Sequence, residues 1–145
     1  MKKSLFVLVA SLLLAAPAFA ELSWMTDLPK ALEKAKAENK VVMMGFTGSD
    51  WCSTCIKLHK EVFSTPEFAS YAKKNLVPVE VDFPKKKVLS AEQKQANSDL
   101  KEKYKIEGYP TIIVLNSKGE KLGEFIYEEG GPKNFIAKLD ELKKK

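Results

Sequence analysis

Val41-Val42-Met43-Met44-Gly45-Phe46-Thr47-Gly48-Ser49-Asp50-Trp51-Cys52-Ser53-Thr54-Cys55 is the stretch that decides the fold. Residues 41–46 are a short apolar run of the kind that makes a buried strand. Gly48, Ser49 and Asp50 then break it with turn chemistry. Beyond Cys55 the apolar residues change period: Ile56, Leu58, Val62 and Phe63, set among Lys57, Lys60 and Glu61, fit a helix and not a strand. Cys52 therefore falls at the first turn of a helix that follows a strand. Free N–H groups and the positive end of the helix dipole favour an anion at that place, so thiolate gains over thiol. An ordinary thiol pKa of about 8.5 drops to roughly 3.5–7.5 in such surroundings, and the thiolate is the nucleophile. Cys55 lies one turn further in, where it can attack a mixed disulfide formed at Cys52. The chain has no other cysteine.

Residues 1–20 have a different character. Lys2 and Lys3 lead an apolar run over residues 5–16, and Ala18-Phe19-Ala20 places small residues at the two positions that a signal peptidase reads. A signal peptide cleaved after Ala20 is expected; the run is short for a membrane span, and no cysteine follows the cut to take a lipid anchor. Residues 21–145 are then one domain, and the composition of the whole chain (45% hydrophobic, 30% charged) supplies a real core. Export puts the protein in a periplasm, the preferred compartment, or beyond the cell. A disulfide can persist there. A structural staple gains most by closing a long loop; Cys52 and Cys55 close almost none, so reactivity explains them better.

The net charge is +5, or +3 once Lys2 and Lys3 are removed, and every basic residue is lysine. Recognition of phosphates and base edges leans on arginine forks, so a nucleic-acid partner is not expected. Lys85-Lys86-Lys87 and Lys143-Lys144-Lys145 read as a solvated loop and a tail, and Glu128-Glu129 and Asp140-Glu141 as solvated charge.

Trp24 is expected to pack on the domain. Thr26 or Asp27 can cap a helix with Pro29 in its first turn, with Leu28, Ala31, Leu32 and Ala35 inward and Asn39 at its end. The strand 41–46 and a helix from Cys52 to about residue 63 follow. Pro66 starts a short helix to about residue 74, and residues 76–82 make a second strand. Ser90-Ala91-Glu92-Gln93 matches a capping box for a helix to about residue 105. Residues 111–115 are a third strand, a turn at 116–119 leads to an outer strand at 121–127, and a helix from Pro132 to about residue 143 buries Phe135, Ile136, Leu139 and Leu142. Strands alternating with helices predict parallel pairing through right-handed crossovers, with the last hairpin as an antiparallel edge.

Trp51-Cys52-Ser53-Thr54-Cys55 after a strand, with Tyr109-Pro110-Thr111 ahead of a later strand and a glycine-containing hairpin, resembles the thioredoxin superfamily over residues 27–143, in particular its exported members. The resemblance implies an α/β fold with a central mixed sheet of about four strands flanked by helices. It implies that Cys52 is the exposed attacking thiol and Cys55 the buried resolving thiol of a redox-active disulfide. Pro110 would be cis and packed on the pair, Tyr109 would offer its backbone to an extended substrate, and Trp51 would shield one side. Two departures stand out. Gly45 occupies the place of the family's buried aspartate, and Ser53-Thr54 replaces Gly-Pro between the cysteines. Proton removal from Cys55 then needs another route, with Glu80, Lys57 or water as candidates.

The function expected is thiol–disulfide exchange with protein or small-molecule substrates, by a monomer that needs no bound cofactor and draws on a redox partner, such as a membrane-embedded reductase or oxidase. The direction of electron flow stays open. A rival reading uses His59: with Cys52 and Cys55 it shares one helix face within about 60°, a donor set suited to zinc or copper handling. A third reading is an interaction domain that keeps the fold and has no activity.

Overall fold

The computed structural model describes residues 21–145; the expected signal peptide, residues 1–20, lies outside the described residues. A four-stranded mixed sheet of order β2-β1-β3-β4 is built from β1 (Val41–Thr47), β2 (Leu76–Asp82), β3 (Thr111–Leu115) and β4 (Lys121–Ile126). Five helices cover it: α1 (Leu28–Glu38), α2 (Ser53–Leu58), α3 (Pro66–Asn75), α4 (Ala91–Lys103) and α5 (Gly131–Lys143). Among the described residues no helix is long and apolar enough to cross a membrane.

The period-two alternation of the strands sorts the core into two layers. Val42, Met44, Phe46, Val77, Val79, Val81, Ile113 and Leu115 face α1 and the residues around Ile106. Met43, Leu76, Ile112 and Val114 face Leu58, Val62, Phe68, Ala72, Phe135 and Leu139 of the opposite helices. Rings in the second layer meet edge to face, with Phe135 lying 5.1 Å from Phe125, 5.4 Å from Phe63 and 5.6 Å from Phe68. Asp27, not Thr26, caps α1, accepting from the Lys30 N–H at 3.0 Å.

Three expectations need correction. β3 runs antiparallel to β1, so among the four strands parallel pairing is confined to β1 with β2. α4 follows the C-terminal end of β2, where Asn97 in its middle donates to the Asp82 carbonyl at 2.9 Å, and the chain re-enters the sheet at that same end. Thr111 therefore pairs with Phe46, and Pro110 arrives beside the segment that leaves β1. The capping box of α4 is half made: Ser90 accepts from the Gln93 N–H at 3.1 Å, while the Gln93 amide donates to Thr26 O and Asn97 Oδ1. The helix after Cys52 is not uniform either. It widens into a π-helical turn at His59–Phe63, closed by Ser64 N–H donating to His59 O at 2.8 Å.

Two carboxylates hold the turn between β1 and α2. Asp82, buried, accepts from the backbone N–H of Ser49 at 3.0 Å and from its hydroxyl at 2.5 Å. Asp50 accepts from three successive N–H groups, those of Lys85, Lys86 and Lys87, at 2.9, 2.8 and 2.8 Å. Those bonds, led by the one from Lys85, hold the Asp50 carboxyl below its ordinary value of 3.8. Because folding lowers this pKa, the stabilisation is complete above the ordinary carboxylate value and is lost as pH falls through the lowered one.

Two outcomes follow from this packing. Phe135→Ala is expected to lower stability by about 3–5 kcal/mol in urea unfolding, since it empties a fully enclosed ring site; a loss below about 1 kcal/mol contradicts the packing. Asp50→Asn is expected to speed amide hydrogen exchange at Lys85, Lys86 and Lys87 by about tenfold or more at neutral pH, and unchanged exchange there contradicts the anchor.

Candidate active site

Cys52 is the N-cap of α2, with extended backbone (φ −83°, ψ 107°), and the Cys55 N–H donates to its sulfur at 3.2 Å. The sulfur thus does what a serine or aspartate oxygen does at other helix starts, satisfying one of the free N–H groups. Cys52 and Cys55 are joined as a disulfide with Cα atoms 5.2 Å apart. Both are largely covered in this oxidised form, at 9% and 5% exposure. The difference from an exposed attacking thiol arises from what lies over it: the Tyr109 carbonyl oxygen sits 3.8 Å from the Cys52 sulfur. The Tyr109–Pro110 bond is cis.

Trp51 is 40% exposed and leans over the turn. Its indole N–H donates to the Phe83 carbonyl at 2.8 Å, and its ring lies so close to Gly48 that a Cβ there would come within 2.4 Å. Glycine at 48 is thus a requirement of close approach. Tyr109 stands edge-on to Trp51 at 6.0 Å and stacks on Phe83 at 5.2 Å, with Lys85 Nζ 4.2 Å above the indole. The sequence reading gave Phe83 and Asp82 no place at the site and Asp50 only a place in the turn; the available signal for the two acids was their position just past β1 and at the end of β2. A groove of about 490 Å³ runs beside Tyr109 and Pro110, lined also by Thr54, Gly108, Thr111 and Ile126.

Behind the disulfide lies a second cavity, of about 600 Å³, which Cys55 lines and which includes Trp24, Gly45, His59, Glu80 and Lys87. Gly45 and Glu80 are register partners on adjacent strands. The missing side chain at 45 leaves room that the Trp24 ring borders, 3.6 Å from where a Cβ would stand. Burial raises the Glu80 pKa, Asp82 adds to the rise, and Lys87 and His59 oppose it. Lys57 points elsewhere: it pairs with Glu129 and lies 4.0 Å from Glu61.

The copper or zinc reading over Cys52, Cys55 and His59 finds no support. Among the described residues no group of three or more His, Cys, Asp or Glu could hold a metal ion. His59 starts the π-helical turn, and its Nδ1 lies 3.1 Å from the Ser64 hydroxyl, with its ring edge-on to Phe63.

A family described as thioredoxin-like domain matches residues 28–143. The chain is 38% identical over 122 residues to the disulfide bond reductase DsbH of Chlamydia pneumoniae, covering 84% of this chain and 73% of that one. It is 34% identical over 110 residues to the thioredoxin-related protein DsbJ of the same organism, but these make up only 32% of DsbJ. A solved structure of a DsbH oxidoreductase superposes with a TM-score of 0.79 at 35% identity, over 96% of this chain and 94% of the other. With a Cys-x-x-Cys disulfide at the start of α2 and these relatives beside it, the chain belongs to the thioredoxin-like family and is a thiol–disulfide oxidoreductase.

Proposed function

We propose that the protein works outside the cytosol as a disulfide reductase, with Cys52 as the attacking thiol and Cys55 as the resolving one. The observation that carries this reading is the Cys55 N–H aimed at the Cys52 sulfur at 3.2 Å. A hydrogen bond to an ionised acceptor is roughly twice as strong as one to a neutral acceptor, so the same N–H favours the thiolate once the disulfide is reduced. The reducing direction is favoured by the relative named a disulfide bond reductase, and export by the leader-like residues 1–20.

In the proposed reaction an extended substrate segment pairs with the Tyr109 backbone, whose carbonyl already neighbours Cys52. Cis-Pro110 keeps that edge against the cysteines, and Trp51 closes the other side. Exposed Ile56 and Ile126 add an apolar rim suited to protein segments. The Cys52 thiolate attacks one substrate sulfur and releases the other; Cys55 then attacks Cys52, freeing the reduced substrate and leaving the disulfide seen here. Electrons return from a redox partner, for which a membrane-embedded reductase is the proposed class.

Reduction of insulin by dithiothreitol tests the activity. The wild-type protein is expected to speed it and Cys52→Ala to fall to the uncatalysed rate; equal rates for the two leave only a binding domain. The reduction potential is expected nearer the about −270 mV of thioredoxin than the about −120 mV of a strong oxidant. A value at the oxidising end reverses the direction.

A further inference from the structure

We propose that Glu80 is the proton acceptor for Cys55, receiving its proton across the cavity that both residues line. The inference rests on the thiol–disulfide reading. Resolution requires Cys55 as a thiolate, yet an ordinary thiol is mostly protonated at neutral pH and burial in apolar surroundings makes ionisation harder. Cys55 is 5% exposed. Some group has to take that proton before the attack.

The cavity behind Cys55 defines the choices. Its titratable and charged lining groups are Cys55 itself, His59 and Lys60 from the π-helical turn, Glu80 from β2 and Lys87 from the following loop. Glu80 is its one carboxylate. The strand register sets Glu80 beside Gly45, on the face that α2 covers, and the absent side chain at 45 keeps the space between strand and helix open. At about 600 Å³ it has room for water to bridge the carboxylate and the thiol. Glu80 is also held in place by its backbone, whose N–H donates to Met25 O at 2.8 Å.

The alternatives fit less well. Lys57 is absent from the cavity and is engaged with Glu129 and Glu61; as an ammonium it cannot accept a proton. His59 lines the cavity, but its Nδ1 is taken up with the Ser64 hydroxyl. Proton transfer is most efficient when donor and acceptor pKa values approach one another. Burial of Glu80 moves its carboxyl upward, toward the thiol.

The steps balance. Cys52 thiolate breaks the substrate disulfide, and the first substrate sulfur leaves as a thiolate. The Cys55 S–H gives its proton to the Glu80 carboxylate, and the new thiolate attacks Cys52, breaking the mixed disulfide. The second substrate sulfur leaves with the electron pair and takes the proton from Glu80. Two electrons have passed from the enzyme dithiol to the substrate, and Glu80 is returned ionised.

A two-stage chromogenic disulfide separates the events. When reduced protein meets excess 5,5′-dithiobis(2-nitrobenzoate) in stopped flow, the first coloured thiolate reports attack by Cys52 and the second reports resolution by Cys55. Glu80→Gln is expected to keep the first phase and to slow the second about tenfold or more at pH 7, with the deficit shrinking as pH rises toward 9. Its folded state is expected to resist urea better than wild type at pH 7, because a carboxyl whose pKa folding raises costs stability as pH climbs through that range. Slower resolution in a more stable protein cannot be structural damage. Should Glu80→Gln fail to fold, Glu80→Ala carries the test, with added formate expected to restore its second phase. A second phase within twofold of wild type in the Gln variant, no rescue by formate in the Ala variant, or an equal loss in His59→Ala with Glu80 intact overturns the assignment. Absence of the first phase from the wild-type protein instead overturns the thiol–disulfide reading itself.

Discussion

One backbone N–H, that of Cys55, points at the sulfur of Cys52, and the rest of the molecule is arranged to keep it there. A helix start always leaves such donors free. What is particular here is that the capping atom is also the reacting atom. The cap works only if the turn between β1 and α2 has one shape, and three features outside the motif impose it. Asp82 binds the backbone N–H and the hydroxyl of Ser49, Asp50 gathers the N–H groups of the lysine loop, and Gly48 leaves the space that the Trp51 ring fills.

The second constraint is the direction of β3. Antiparallel pairing with β1 makes Thr111 a neighbour of Phe46, so the Tyr109–Pro110 bond comes to the sheet at the end where the cysteines leave it. A parallel third strand would carry Pro110 to the opposite edge and leave the disulfide without a partner surface. The buried hydrogen bond from Asn97 to the Asp82 carbonyl ties α4 to the end of β2 that lies beside this entry point. On the other side of the disulfide, the gap above Gly45 admits polar groups to a place that a fully packed core would fill. Glu80 is half-buried there at a cost in stability, the kind of local conflict that functional sites retain.

Most of the fold was legible because the chain signals its elements with strong local chemistry. Period changes at Cys52, proline at the starts of α1 and α3, and the Asn116–Gly119 turn each locate a boundary within a residue or two. The cysteine pair was readable by the same means, whereas Trp51, Tyr109 and Pro110 came from the resemblance to the thioredoxin superfamily; the structure brings all five together. The antiparallel entry of β3 was not readable, because alternation of strands and helices does not say at which end of the sheet the chain returns after α4. Nor was the π-helical turn: residues 56–63 keep a helical pattern while one extra residue is accommodated at His59–Phe63. Gln93 carries the capping-box signature yet spends its amide on Thr26 and Asn97. Glu80 stood in the sequence as one candidate base among three; the register with Gly45 and the cavity it shares with Cys55 set it apart.

The central claim is that Cys52 ionises easily because it caps a helix, and thiol alkylation measures that directly. Reduced protein carrying Cys55→Ala, treated with iodoacetamide across pH 4–10, isolates the one sulfur. The account predicts a reactivity midpoint well below the ordinary thiol value of about 8.5. A midpoint at or above that value, with slow labelling at neutral pH, contradicts it.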